Sequence, residues 1–148
     1  MSFRFARDFE VRWKDVDAAG VLNNAVYLTF LEQARYHYFE DLGLLRGHQF
    51  PFLLGETRIR FERPALPGTT VTVHARVSRL GGKSLDMEYE LHDGDGPLAR
   101  ASATLVWVDE QLASAPIPPE ARARVERVEG RVLRGGESSA VPADDSGV

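Results

Sequence analysis

Cysteine is absent from all 148 residues. That excludes disulfides, thiolate metal sites and a cysteine nucleophile. No apolar run approaches the roughly 20 residues that span a bilayer. The opening Met1-Ser2-Phe3-Arg4-Phe5 lacks the apolar stretch of a signal peptide, and Asp8 and Glu10 follow soon after. The expectation is a cytoplasmic protein with no membrane span. Basic runs are missing too. A net charge of −4 and a sequence pI near 5.6 argue against a nucleic-acid partner. There is no Gly-x-Ser-x-Gly elbow and no dinucleotide-binding glycine pattern. Gly82-Lys83-Ser84 fails as a phosphate loop because position 77, where the first glycine belongs, is Val77. The histidines His37, His48, His74 and His92 have no metal-ligand spacing, so no metal site is expected.

What remains is a chain long enough for one domain with a real core. Phe3, Phe5, Phe9, Val11 and Trp13 fall on odd positions, the period of a half-buried strand. A turn at Ala18-Ala19-Gly20 follows. Tyr27, Phe30, Leu31, Ala34, Tyr38 and Leu42 then recur at spacings of three and four. They predict an amphipathic helix from Asn24 to Leu42, largely enclosed, with Gly43 as its stop. Leu44 to Phe50 read as a connection.

Beyond Pro51 the period changes to two. Ile59 and Phe61 alternate with Arg58 and Arg60. Val71, Val73, Ala75 and Val77 alternate with Thr70, Thr72, His74 and Arg76. Leu85, Met87, Tyr89 and Leu91 alternate with Asp86, Glu88, Glu90 and His92. Ala99, Ala101, Ala103, Leu105 and Trp107 form the last apolar row. Gly81-Gly82 and Asp93-Gly94-Asp95-Gly96 mark hairpin turns, and such short connections join antiparallel neighbours. Each strand needs cover on one face, and the helix is the long apolar element available. The expected fold is α+β, an antiparallel sheet of five to six strands wrapped round one long central helix. This domain spans residues 1–115. Pro118-Pro119-Glu120 opens a short helix within 116–129, with Val125 and Val128 as a thin apolar stripe. Residues 130–148 read as a flexible tail.

The segment richest in chemistry is Asp15-Val-Asp17-Ala-Ala-Gly20-Val-Leu-Asn23-Asn24-Ala-Val-Tyr27. It places a carboxylate beside the free N–H groups of a helix N-terminus, which attract negative charge. A group that attacks or activates water, next to donors for a developing oxyanion, fits acyl transfer. Asp before a helix is equally a capping residue, and Asn23 and Asn24 already supply caps. Asp15 competes with Asp17 as the acid and reads better as a turn cap. Gly20 permits the turn or a close backbone approach to substrate. Asn24 or its neighbour Ala25 offers the N–H, Asn23 positions a water or holds the loop, and Tyr27 sits on the apolar stripe. Glu32 and Arg35 form a helix-surface pair at spacing three. Phe30, Phe50, Phe52 and Phe61 line an acyl tunnel or belong to the core.

The order of elements is that of a hotdog domain. Arg12-Trp-Lys-Asp15-Val-Asp17-Ala-Ala-Gly20-Val-Leu-Asn23-Asn24-Ala-Val-Tyr27-Leu, followed by Glu32-Gln-Ala-Arg35, resembles the acyl-CoA thioesterases related to 4-hydroxybenzoyl-CoA thioesterase. The resemblance covers residues 5–110. It implies that Asp17 is the catalytic acid, that Asn24 donates to the thioester oxygen, and that Lys83 and Ser84, with Arg79, contact coenzyme A. Glu32 is a candidate to reach a partner's site. Val21 and Asn24 stand where many relatives carry histidine, so a histidine-dependent mechanism is not expected. The implied substrate is an acyl-CoA or acyl carrier protein thioester. The implied assembly is a homodimer or homotetramer, with no cofactor beyond the substrate's coenzyme A. The alternatives are a hotdog enoyl-thioester hydratase and a non-catalytic acyl-thioester binding module.

Overall fold

A computed structural model describes residues 3–133. Five strands and two α-helices follow in the order β1 (Phe5–Glu10), α1 (Asn24–Asp41), β2 (Phe52–Phe61), β3 (Thr70–Leu80), β4 (Ser84–Asp93), β5 (Gly96–Trp107) and α2 (Pro119–Glu129). The strands form one antiparallel sheet in the order β1-β3-β4-β5-β2. The register places Phe5 opposite Ala75, Val77 opposite Met87, Met87 opposite Ala103, and Ala101 opposite Ile59. The apolar rows therefore share one face. α1 crosses it above β1 and β3, where Phe30 stacks on Phe9 with ring centroids 5.0 Å apart and Tyr38 meets Phe5 edge-on at 5.4 Å. The opposite face carries charge pairs: Arg76 with Glu88 and Arg79 with Asp86 join β3 to β4, and Glu90 meets His92 along β4. Among the described residues no helix is long and apolar enough to cross a membrane.

Four expectations need correction. Trp13 does not continue the buried row; it is 80% exposed. The chain leaves β1 into a single 3₁₀ turn, Trp13–Asp15, fixed where Arg12 and Asp15 bond each other. The long helix is enclosed on one side only, because Leu28, Glu32 and Gln33 lie exposed on the face away from the sheet. In α2 the buried positions are Ala121, Val125 and Glu129, while Val128 is exposed. Glu129 is buried because its carboxylate accepts the Tyr38 hydroxyl at 2.5 Å and the Val77 N–H at 3.0 Å. β1 pairs with β3 only as far as Ala75, so α2 supplies an acceptor where the neighbouring strand has ended. Finally, the packed chain extends past residue 130. Leu133 is buried and its N–H bonds Glu126 Oε2 at 2.8 Å. The rest of the expected tail, 134–148, lies outside the described residues.

Candidate active site

The turn before α1 is a miniature hairpin. Val16 bridges Leu22, Asp17 N–H donates to the Val21 carbonyl at 2.8 Å, and Asn23 N–H donates to the Asp15 carbonyl at 2.8 Å. Leu22 N–H reaches the Ala65 carbonyl at 2.9 Å, which ties the hairpin to the connection before β3. Gly20 closes the tip at φ +81°, and a Cβ added there meets nothing within 4 Å. Glycine is used here for its left-handed backbone, not for a close approach within the chain.

The two acids of this loop differ in surroundings. Asp15 is 4% exposed. It accepts Arg12 Nε at 3.0 Å, Arg12 Nη2 at 3.1 Å and the Arg12 N–H at 3.0 Å. Those hydrogen bonds hold its carboxyl below the ordinary value of 3.8. Asp15 is therefore a structural anion. A carboxyl depressed on folding stabilises the fold above its unfolded value and loses that contribution as pH falls through its folded value. Urea unfolding followed from pH 6 to pH 3 should show wild type losing stability more steeply than Asp15→Asn below about pH 4. Parallel curves would contradict the pair.

Asp17 is exposed at the tip. Its Oδ1 accepts the Ala19 N–H at 2.8 Å, and Oδ2 has no partner among the described residues. One oxygen anchors the side chain and the other is available.

α1 begins at Asn24, capped by Asn23. The Asn23 side chain accepts the Ala25 N–H at 2.8 Å, and its carbonyl accepts the Val26 N–H at 2.9 Å. The Asn24 N–H is the donor of this first turn with no partner among the described residues. Cap geometry thus separates Asn24 from Ala25, which sequence alone left open. A cavity of about 240 Å³ opens beside it, lined by Val21, Leu22, Asn24, Tyr27 and the end of β2 at Phe61 to Pro64. Tyr27 is buried, and burial raises its phenol above the ordinary value. Its ring meets Phe61 edge-on at 5.0 Å. Arg63, on the cavity wall, is held by Asp93 and the Gly96 carbonyl.

Other candidates lie elsewhere. Arg79 and Ser84 belong to an internal cluster at the β3–β4 hairpin. Arg79 donates to Asp86 through Nε at 2.9 Å and to Ser84 Oγ at 3.0 Å. Lys83 is exposed at the same hairpin, its side chain unbonded among the described residues. Sequence reasoning missed its neighbour from α2: Arg122 Nη2 donates to the Gly81 carbonyl at 2.6 Å. Nothing in a one-dimensional pattern brings residue 122 to a glycine turn at 81. The surface pair of Glu32 and Arg35 does not form. Glu32 is exposed, whereas Arg35 turns into the core and donates to the Tyr89 hydroxyl at 2.8 Å. Of the candidate tunnel residues, Phe50 stacks on Phe52 at 4.8 Å, away from the Tyr27–Phe61 contact. Among the described residues no group of three or more His, Asp or Glu could hold a metal ion.

Known proteins resemble this chain in sequence and in fold. The chain is 30% identical over 111 residues to the long-chain acyl-CoA thioesterase FadM of Escherichia coli (strain K12), covering 72% of this chain and 84% of that one. It is 24% identical over 123 residues to the chloroplastic acyl-acyl carrier protein thioesterase ATL3 of Arabidopsis thaliana, covering 79% of this chain but only 65% of that relative's length. A thioesterase from Thermus thermophilus, solved with coenzyme A and Zn, superposes with a TM-score of 0.80 at 33% identity, over 87% of this chain and 97% of that one. The pattern of the thioesterase-like superfamily matches residues 11–125, which hold the hairpin, α1 and β2 to β5, and the chain belongs to that superfamily.

Proposed function

We propose that the protein hydrolyses an acyl thioester, acyl-CoA or acyl carrier protein, to the free acid and the thiol. The observation that carries this reading is one short hairpin that holds an anchored carboxylate at its tip and leads at its end to an unbonded helix N–H. Asp17 keeps one free oxygen, and the hairpin that holds it ends at the helix start bearing Asn24. The thioester carbonyl oxygen accepts the Asn24 N–H, where the helix end favours the negative charge of the tetrahedral intermediate. Asp17 attacks the carbonyl carbon or draws a proton from a water that does so. The C–S bond breaks, the thiolate leaves and takes a proton, and water supplies the oxygen of the acid. The reading draws on no group beyond the coenzyme A part of the substrate. It is supported by the names of the relatives, one an acyl-CoA and one an acyl carrier protein thioesterase.

Lys83 and Arg122 at the glycine hairpin form the cationic end of the reading, where the diphosphate of coenzyme A docks. Lys83→Glu should raise KM for acyl-CoA about tenfold with kcat nearly unchanged, because the contact is made equally in ground and transition states. An unchanged KM in steady-state assays would remove Lys83 from the site.

We further propose a homodimer or homotetramer working in the cytoplasm. β2 is an outer strand with Leu53, Leu54 and Phe61 exposed, an edge that calls for a partner. Its end also walls the cavity beside Asn24. Sedimentation as a dimer or tetramer is expected, and a monomer at working concentration contradicts this part.

Crotonyl-CoA separates the rival chemistries. Thiol release with crotonate as the acid product is expected of the hydrolase. Water addition with the thioester intact would assign a hydratase, and tight binding with neither reaction would assign a binding module.

A further inference from the structure

Arg35 is a buried cation without a counter-charge. Its relative exposure is 5%, and no ion pair among the described residues includes it. A guanidinium carries five N–H donors and stays protonated. One of them bonds the Tyr89 hydroxyl, which in turn donates to Met87 Sδ at 3.4 Å. Burying a charge without a counter-ion is costly, so the fold keeps this arrangement against a penalty.

The surroundings contain a second buried donor. Arg35 Cζ lies 5.9 Å from the Phe50 ring centroid and 6.0 Å from that of Tyr89. Phe50 stacks on Phe52, whose ring is 6.2 Å from Trp107. Trp107 is 4% exposed, and its enclosed Nε1 has no acceptor among the described residues. A buried cation and an enclosed indole N–H thus border one aromatic cluster. Trp107 ends the row Ala99, Ala101, Ala103 and Leu105 on the apolar face of the sheet.

Arg35 stands about three turns, or about 16 Å, along α1 from Asn24. Helical side chains lean back towards the N-terminus, so the guanidinium reaches towards the thioester end.

We propose that Arg35 receives an acceptor oxygen, best a carboxylate, carried at the far end of the acyl group whose thioester lies at Asn24. The inference rests on the thioesterase reading and names its substrate class: medium-length acyl groups with an oxygenated end. A carboxylate supplies the charge and the lone pairs that the cluster lacks.

The test is kcat/KM for matched pairs: adipyl- against hexanoyl-CoA, suberyl- against octanoyl-CoA, and sebacyl- against decanoyl-CoA. Wild type, Arg35→Met and Arg35→Lys are assayed on each pair. Wild type should prefer the carboxylated member about tenfold or more at one length, because a site built around buried donors rejects an analogue that leaves them unpaired. Arg35→Met should lose or reverse that preference while keeping methyl-ended turnover within about threefold, and Arg35→Lys should retain part of it. Wild-type preference for the methyl-ended member at every length overturns the proposal, whether or not the variants fold. So does a ratio that Arg35→Met leaves unchanged. If wild type releases thiol from none of the substrates, the hydrolase reading falls and takes this inference with it, a result distinct from hydrolysis without discrimination.

Discussion

Replacing Asp17 by Asn is expected to lower kcat about a hundredfold to ten-thousandfold, the range that a positioned acid–base group contributes. The fold should survive. The Asp17 side chain makes one described hydrogen bond, accepting the Ala19 N–H at 2.8 Å. An asparagine amide oxygen accepts the same bond, so the turn keeps its anchor. What disappears is the negative charge and the nucleophilic lone pair of the second oxygen. Thermal unfolding should therefore move little while turnover collapses. A folded Asp17→Asn protein with near-normal turnover would remove Asp17 from the chemistry.

The largest stability loss is expected at Asp86, far from that loop. Its carboxylate is 0% exposed and accepts Arg79 Nε at 2.9 Å, Arg79 Nη2 at 3.3 Å and Thr104 Oγ1 at 3.0 Å. Register puts Arg79 directly opposite it across the β3–β4 hairpin. Asp86→Ala leaves a mostly buried guanidinium without its counter-ion, which costs about 3–5 kcal/mol. For a domain of this size that lowers Tm by roughly 10 °C. Replacing both partners with apolar residues, Arg79→Met with Asp86→Leu, should recover much of the loss, since the uncompensated charge is then gone. A drop below about 1 kcal/mol in Asp86→Ala, measured by urea unfolding, would show that the pair is not essential to the hairpin.

The strands were legible because each buries one face, which writes a period of two directly into the sequence. Val71 to Val77 and Leu85 to Leu91 alternate as the sheet requires. Gly20, Gly43 and the glycine hairpins punctuate the chain where the backbone turns. The helix start at Asn24 was legible from its caps. What failed depends on partners distant in sequence. Trp13 left its row because Arg12 and Asp15 close a turn. Glu129 is buried because β1 ends before Val77 and leaves an N–H to satisfy. Arg35 looked like half of a surface pair, and only the sheet, with Tyr89 beneath it, reveals a buried cation. Arg122 joins the glycine hairpin through a helix that follows it by some forty residues. Local pattern carries the elements; the polar contacts that join them are tertiary facts.

The same distinction orders the two acids of the first loop. Asp15 and Asp17 are equivalent in a motif, yet one is sealed against Arg12 and the other stands in solvent with a free oxygen. The central claim is that Asp17 carries the chemistry and Asp15 only the turn. Thiol release from one acyl-CoA by wild type, Asp17→Asn and Asp15→Asn, each shown to be folded at pH 7, tests it most directly. The account predicts release by wild type, release within about tenfold of it by Asp15→Asn, and loss of about two orders of magnitude or more in Asp17→Asn. Equal loss in both variants, or a greater loss in Asp15→Asn, would contradict it.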